Sequence, residues 1–176
     1  MRITYQVLAA RAVKNVVDVV DKQTRSRMMA GIRGKHTKPE IMLRKALHAM
    51  GFRFRLHDKR LPGRPDIVLP KWKVAIEVHG CFWHRHEGCR YATTPATRPE
   101  FWAEKFAANV ARDRRNLKKL QEAGWRTAVI WECWLREKEI TDLIGALSHW
   151  IVSAEMVFAP PDDQKVPKRG DDVTSG

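Results

Sequence analysis

The sequence predicts an α/β or α+β domain in which helices flank a small, mixed central sheet. Three observations carry that expectation. Short apolar runs bounded by turn residues alternate with longer segments of helical period. Two of the runs, Asp66–Leu69 and Lys73–Val78, are separated only by Pro70-Lys71-Trp72, the length of an antiparallel hairpin. A long amphipathic stretch then separates them from another apolar run, Arg126–Trp131.

Taken in order, residues 1–20 read as a loose arm ahead of the folded domain. Thr24–Ile32 reads as a short basic helix. Thr37-Lys38-Pro39-Glu40 spells a capping box, and Ile41, Leu43, Leu47 and Met50 follow at helical spacing until Gly51 stops the helix. Phe52-Arg53-Phe54-Arg55-Leu56 alternates strictly, as a half-buried strand does. Leu61-Pro62-Gly63-Arg64-Pro65 is a turn leading into the hairpin. Gly80 to about Thr97 is an irregular loop dense in Cys, His and aromatic residues. Glu100–Ala123 is a helix with Phe101, Phe106, Val110, Leu117 and Leu120 expected inward and Arg112, Arg114, Arg115, Lys118 and Lys119 mostly outward; Gly124 ends it. Thr141–Ile151 closes the fold as a helix. The domain is expected over 21–155, with 156–176 a disordered tail rich in Pro, Gly and charge.

Among 176 residues, 33 Lys and Arg stand against 20 Asp and Glu, a net charge of +13. An excess of that size points to a polyanionic partner, and phosphate neutralisation by nucleic acid is the commonest case. A solubilising surface or an anionic membrane surface is the alternative. No apolar run approaches the ~20 residues of a membrane span. Ile3–Ala10 is too short and polar for a secretory core, so the expected location is the cytoplasm. Three cysteines cannot all pair within the chain, which argues against a disulfide framework.

Two clusters carry chemistry. In the hairpin, Asp66 begins one strand and Glu77-Val78-His79 ends the other, the spelling PD-x10-E-x-H. Side chains alternate along a strand, so Glu77 and His79 share a face and converge with Asp66. Hard oxygen donors there suit Mg²⁺, and a histidine beside them can donate to phosphate or accept a proton from water. A turn aspartate and a strand glutamate balancing Arg64 and Lys73 is the bland alternative. The second cluster is Cys81, His86 and Cys89, with Cys133 after the last strand. Together they make a Cys3His set of the kind that holds structural zinc, and they use every cysteine. Buried thiols are the alternative, and His84 is either a substitute ligand or free for chemistry. Phe82-Trp83 lie inside this loop and Phe101-Trp102 open the long helix. Apolar side chains beside a cationic surface can wedge between base pairs, whereas Trp125, Trp131 and Phe106 are assigned to core.

Taken together, Asp21–Arg27, LPGRPD at 61–66, HGCFWH at 79–84, PATR at 95–98 running into Glu100-Phe101-Trp102, NVARDRR at 109–115 and the Gly124–Cys133 segment resemble the very-short-patch-repair (Vsr) DNA mismatch endonucleases. The resemblance spans about Asp18 to Ile151. It implies a monomer of the restriction-endonuclease-like, PD-(D/E)xK type, with structural zinc and catalytic Mg²⁺. It implies nicking of double-stranded DNA 5′ of the thymine in a T:G mismatch left by 5-methylcytosine deamination. Position by position, it implies Asp66 and the backbone carbonyl of Val78 as Mg²⁺ ligands, His84 as the base and His79 at the cleaved phosphate. It makes Glu40 a supporting acid, alongside that residue's role in the capping box. Zinc falls to Cys81, His86, Cys89 and Cys133. Phe82, Trp83 and Trp102 match the intercalating side chains, with Met29 probing the other groove. Mismatch-repair proteins are a further class of partner.

The spacing His86-Glu87-Gly88-Cys89 is one residue longer than in the family pattern. Glu77 stands where familiar members have an apolar residue, and is expected here as a second metal carboxylate. A restriction-type nuclease cutting unmismatched DNA, or a non-catalytic zinc-stabilised DNA-binding module, are the competing readings.

Overall fold

The computed structural model describes residues 23–24, 34–136 and 140–160. The arm 1–20, Met29 with most of the basic helix Thr24–Ile32, and the tail beyond 160 lie outside the described residues; Gln23 and Thr24 are helical.

Helix α1 (Lys38–Ala49) begins where its capping box is spelled, with Glu40 N–H donating to Thr37 Oγ1 at 3.4 Å and Thr37 N–H to Glu40 Oε1 at 3.3 Å. Its buried stripe is Glu40, Leu43, Arg44 and Leu47. The expected Ile41 and Met50 are instead 40% and 49% exposed. Two inward places belong to a charged pair, which hydrophobic periodicity does not register.

Four strands follow in the order β1 (Arg55–Leu56), β2 (Ile67–Leu69), β3 (Val74–His79) and β4 (Arg126–Trp131). The pairings β1–β2 and β2–β3 are antiparallel and β3–β4 is parallel, so the sheet is mixed. The 3₁₀ turn Pro70–Trp72 joins β2 to β3. Of the alternating run 52–56, only Arg55 and Leu56 pair; Phe52 is buried and Phe54 half-buried without a ladder. The remaining helices are α2 (Cys81–His84), α3 (Pro99–Glu122), α4 (Glu132–Arg136) and α5 (Ile140–Val152). The irregular loop therefore opens with a helical turn, and α4 was not expected.

Period-two alternation divides the sheet's faces. Ile67, Leu69, Val74, Ile76, Ala128 and Ile130 join Leu43 and Leu47 of α1, Leu135 of α4 and Leu143, Leu147 and Ile151 of α5 in the main core. The intervening residues of β3, Ala75, Glu77 and His79, face the side where α3 lies. There Gln121 of α3 donates to Thr127 Oγ1 at 3.0 Å. The inward stripe of α3 is Trp102, Phe106, Asn109, Asp113, Asn116 and Leu120, all buried or half-buried at alternating four- and three-residue steps. This keeps the expected Phe106 and Leu120 and replaces the rest of the expected stripe. Phe101 is 42% exposed, and Val110 and Leu117 are only half-buried. Trp125 and Trp131 are likewise half-buried rather than core.

The folded domain passes the expected boundary at 155. Thr127 N–H donates to Met156 O at 3.0 Å, Phe158 N–H donates to Thr127 O at 3.2 Å, and the Phe158 ring packs at 5.6 Å on Trp150. Buried Arg126 fastens this return, donating to Ile151 O at 2.9 Å and Glu155 O at 2.7 Å, a cation on the carbonyls at the end of α5.

The LPGRPD turn is held against α3 by close approach. Gly63 has φ +74°, and a Cβ there would lie 2.9 Å from Asn116 Cβ. Gly63→Ala adds left-handed strain of about 1–2 kcal/mol to that clash. The expected result is a thermal midpoint several degrees lower together with reduced activity, since this turn carries Asp66. A melting curve matching the wild type would show the turn to be freely displaceable. Among the described residues, no helix is long and apolar enough to cross a membrane.

Candidate active site

Antiparallel register builds the floor of the site. The pairs Leu56↔Ile67 and Ile67↔Ile76 continue one step outward to set His57 opposite Asp66 and Asp66 opposite Glu77. Val78 N–H donates to Asp66 Oδ2 at 2.8 Å, fixing the carboxylate at the strand end. His57 Nδ1 lies 3.5 Å from Asp66 Oδ1, while its Nε2 accepts from Arg44 at 3.1 Å and lies 3.6 Å from Glu40 Oε2. Arg44 also pairs with Glu40. Glu40 thus belongs both to the cap of α1 and to a Glu40–His57–Asp66 group whose ligand atoms lie within 4.8 Å of one another. Burial pushes the Asp66 carboxyl up to about 6 against the Val78 N–H, helped by the negative charges of Glu40 and Glu77. Burial, opposed by Glu40 and assisted by Arg44, lowers His57.

Two histidines form the wall. His79 Nε2–H donates to Glu77 Oε2 at 2.9 Å, and both side chains are buried. The His79 ring stacks on His84 with centroids 3.9 Å apart and planes 15° apart. His84 Nδ1–H donates to Asp113 Oδ2 at 2.6 Å. Burial pushes the Asp113 carboxyl up, but the hydrogen bond from His84, the charges of His84 and His79 and the Arg112 contact leave it below its ordinary value. The arrangement fixes one nitrogen of His84 on a carboxylate and leaves Nε2 for chemistry. These groups line a cleft of about 680 Å³ with Arg64, Lys105 and Arg112 among its cations and Trp83 in its wall.

Beside the cleft, Cys81, His86, Cys89 and Cys133 are all buried with their donor atoms within 4.8 Å of one another. Cys133 Sγ lies 3.2 Å and Cys81 Sγ 3.9 Å from His86 Nδ1. His86 joins the cysteines, while His84 turns to Asp113. The hydrogen bond from Cys133 pulls the Cys81 thiol down to about 4 against its burial; the hydrogen bond with Cys81 pushes Cys133 up, and burial raises Cys89. A ready thiolate with soft S and N donors fits a structural metal such as zinc.

The aromatics meet between the two clusters. Phe82 touches Trp83, Trp102 and Phe106 at ring separations of 4.9, 5.6 and 5.2 Å. Phe82 and Trp83 are half-buried, while Trp102 is 8% exposed and stands behind them. The Lys105 ammonium lies 5.6 Å from the Trp83 ring.

His57 and Asp113 escaped the sequence reading. For His57 the only signal is β1–β2 register, carried by a two-residue strand. For Asp113 the signal is a buried acid in the 102–106–109–113–116–120 stripe, visible once three polar residues are allowed to face inward.

Carboxylates and carboxylate-held histidines in one cleft, with Arg64, Lys105 and Arg112 among them, are groups suited to acid–base chemistry on a phosphodiester. Residues 17–90 match the family model described as DNA mismatch endonuclease Vsr. The chain is 48% identical over 139 residues to the DNA mismatch endonuclease Vsr of Escherichia coli (strain K12), covering 77% of this chain and 88% of that protein. It is 46% identical to the type II nicking enzyme V.XorIIP of Xanthomonas oryzae pv. oryzae, covering 75% of this chain and 92% of that protein. Among solved structures, a homing endonuclease I-Bth0305I catalytic domain aligns with TM-score 0.45 at 22% identity, over 66% of this chain and 99% of that one. The chain belongs to the Vsr family of DNA mismatch endonucleases.

Proposed function

We propose that this protein nicks double-stranded DNA on the 5′ side of the thymine in a T:G mismatch arising from 5-methylcytosine deamination, starting very-short-patch repair from a restriction-endonuclease-like, PD-(D/E)xK scaffold. The observation that carries the reading is a shared cleft: Trp83 lines the same cleft as Asp66 and His84. An aromatic side chain placed to part a base step therefore stands next to the groups that would cut. Phe82 and Trp102 pack against Trp83 at ring separations of 4.9 and 6.0 Å and are read with it as the intercalating side chains. Met29 is read as the probe from the other groove.

His84 is the base. Asp113 holds Nδ1–H, so Nε2 has a lone pair for an attacking water and takes its proton as that water bonds to phosphorus and the bond from phosphorus to the leaving sugar oxygen breaks. His79, stacked on His84, stands at the cleaved phosphate. Arg64, Lys105 and Arg112 offset phosphate charge along the cleft. Glu40 anchors the other end of the floor through Arg44 and His57. Hard oxygen donors at the end of β3 fit Mg²⁺, with Asp66 and the Val78 carbonyl as the groups that would hold it. When bound, Mg²⁺ supplies Lewis-acid polarisation of the phosphodiester.

The test is a T:G duplex with each strand end-labelled in turn. The expected result is a single nick immediately 5′ of the thymine, reduced by about 10²–10⁴-fold in His84→Ala. Nicking of the guanine strand, or an undiminished rate in His84→Ala, contradicts the reading. The type II nicking relatives make flanking sequence the next variable, and base-edge contacts govern it.

A further inference from the structure

We propose that Glu77 is a positioning residue acting through His79, completing a stacked pair of carboxylate-held histidines, and is not a metal ligand. This rests on the reading of His84 as the base. The two-residue spacing on β3 puts Glu77 and His79 on one face, and their side chains are 10% and 7% exposed. An ionised carboxylate only accepts, so His79 Nε2 carries the hydrogen that bridges the 2.9 Å to Glu77 Oε2. Trp131 meets the His79 ring at 5.3 Å and 75°, and His84 lies flat against it at 3.9 Å. On the far side of the stack, Asp113 holds His84 at 2.6 Å. Each ring is therefore tied through one nitrogen to its own carboxylate, and neither can turn without breaking a buried hydrogen bond.

The consequence is a division of labour among the acids. Glu77 Oε2 is engaged by His79, whereas Asp66 is tied through one oxygen to the Val78 N–H and leaves Oδ1 with only the 3.5 Å His57 contact. Asp66 also shares a group of close ligand atoms with Glu40 and His57, whereas Glu77 belongs to no such group among the described residues, so Asp66 is the carboxylate assigned to a cation. Glu77 instead stiffens the platform on which His84 rests. Removing it frees the His79 ring to rotate, and the loss falls on turnover rather than on DNA or metal affinity.

The experiment compares Glu77→Gln and Glu77→Leu with the wild type in three readouts. The first is the ¹H–¹⁵N spectrum of histidine-labelled protein, which reports the His79 tautomer. The second is Mg²⁺ binding to the protein alone by calorimetry. The third is kcat and KM for nicking. Gln retains an oxygen that accepts from Nε2–H, so Glu77→Gln keeps the Nε2–H form, Mg²⁺ affinity within about twofold and most of the turnover. Glu77→Leu loses the tautomer preference and about 10–100-fold in kcat with KM little changed, the usual loss when a supporting partner is removed. A tenfold weakening of Mg²⁺ binding in Glu77→Gln with the His79 signals unchanged would overturn the proposal. Should Glu77→Leu fail to fold, Glu77→Gln decides alone. Should mismatch-directed nicking itself fail, the spectral and calorimetric arms still decide the role of Glu77.

Discussion

Asp66→Asn is expected to abolish nicking while making the Mg²⁺-free protein more stable at neutral pH. The activity loss follows from removing the carboxylate proposed to hold Mg²⁺. Several kcal/mol of transition-state stabilisation go with it, hence about 10³-fold or more in rate. The stability gain follows from the carboxyl's folded-state pKa of about 6, against an ordinary value of 3.8. A carboxyl raised on folding contributes its full stability below about pH 4 and loses it as pH rises through about 6. At pH 7 the ionised, half-buried Asp66 therefore costs the folded state about 2–3 kcal/mol, and Asn removes the cost. Melting curves in Mg²⁺-free buffer should place the variant about 5 °C or more above the wild type at pH 7, with the gap closing towards pH 4. A variant melting lower at pH 7 would show that Asp66 is an ordinary structural acid.

Removing the metal from the Cys3His cluster is expected to have the largest effect on stability. The segment from Arg85 to Arg98 lacks regular secondary structure. The cysteine cluster ties it to α4, with Tyr91, Ala92, Trp131 and Trp134 packed around it. Structural zinc in small domains binds with about 10–16 kcal/mol, comparable to a whole domain's net stability of about 5–15 kcal/mol. Purified protein should carry one zinc per chain, and chelation or Cys133→Ser should lower the thermal midpoint by about 10 °C or more. Metal-free protein with an unchanged midpoint would make the cluster a group of buried thiols. Because Cys81 and His84 bound the same helical turn, zinc loss should also disorder the His84–Asp113 pair and suppress nicking.

How much of this was legible in the sequence depended on whether polar residues face inward. The Thr37–Glu40 cap, the β2–β3 hairpin and the closing helix are written in local signals: a capping box, a short connection, a strong apolar period. The two helices that line the site are legible as helices, but their inward faces are not. In α1 the inward stripe includes Glu40 and Arg44; in α3 it includes Asn109, Asp113 and Asn116. A hydrophobic period places such stripes one position away, at Ile41 or Phe101, because the residues facing the cleft, Glu40, Asn109, Asp113 and Asn116, are polar. Asp66, Glu77 and His79 were legible because strand alternation and a hairpin fix their convergence. His57 was not, since its place beside Asp66 is set by the pairing of a two-residue strand. Phe158, beyond the expected end of the domain, packs through a return anchored by Arg126, and no local signal marks that contact.

The most direct test of the central claim uses two duplexes identical except for one T:G or C:G pair, each incubated with the zinc-loaded protein with or without added Mg²⁺, and with Asp66→Asn as the control. Nicking of the thymine strand only in the mismatched duplex, only with Mg²⁺ and only with Asp66 intact is the predicted result. Equal cutting of both duplexes would contradict it and leave a nuclease that reads intact sequence. Binding without cutting would contradict it more deeply and leave the cleft without a catalytic role.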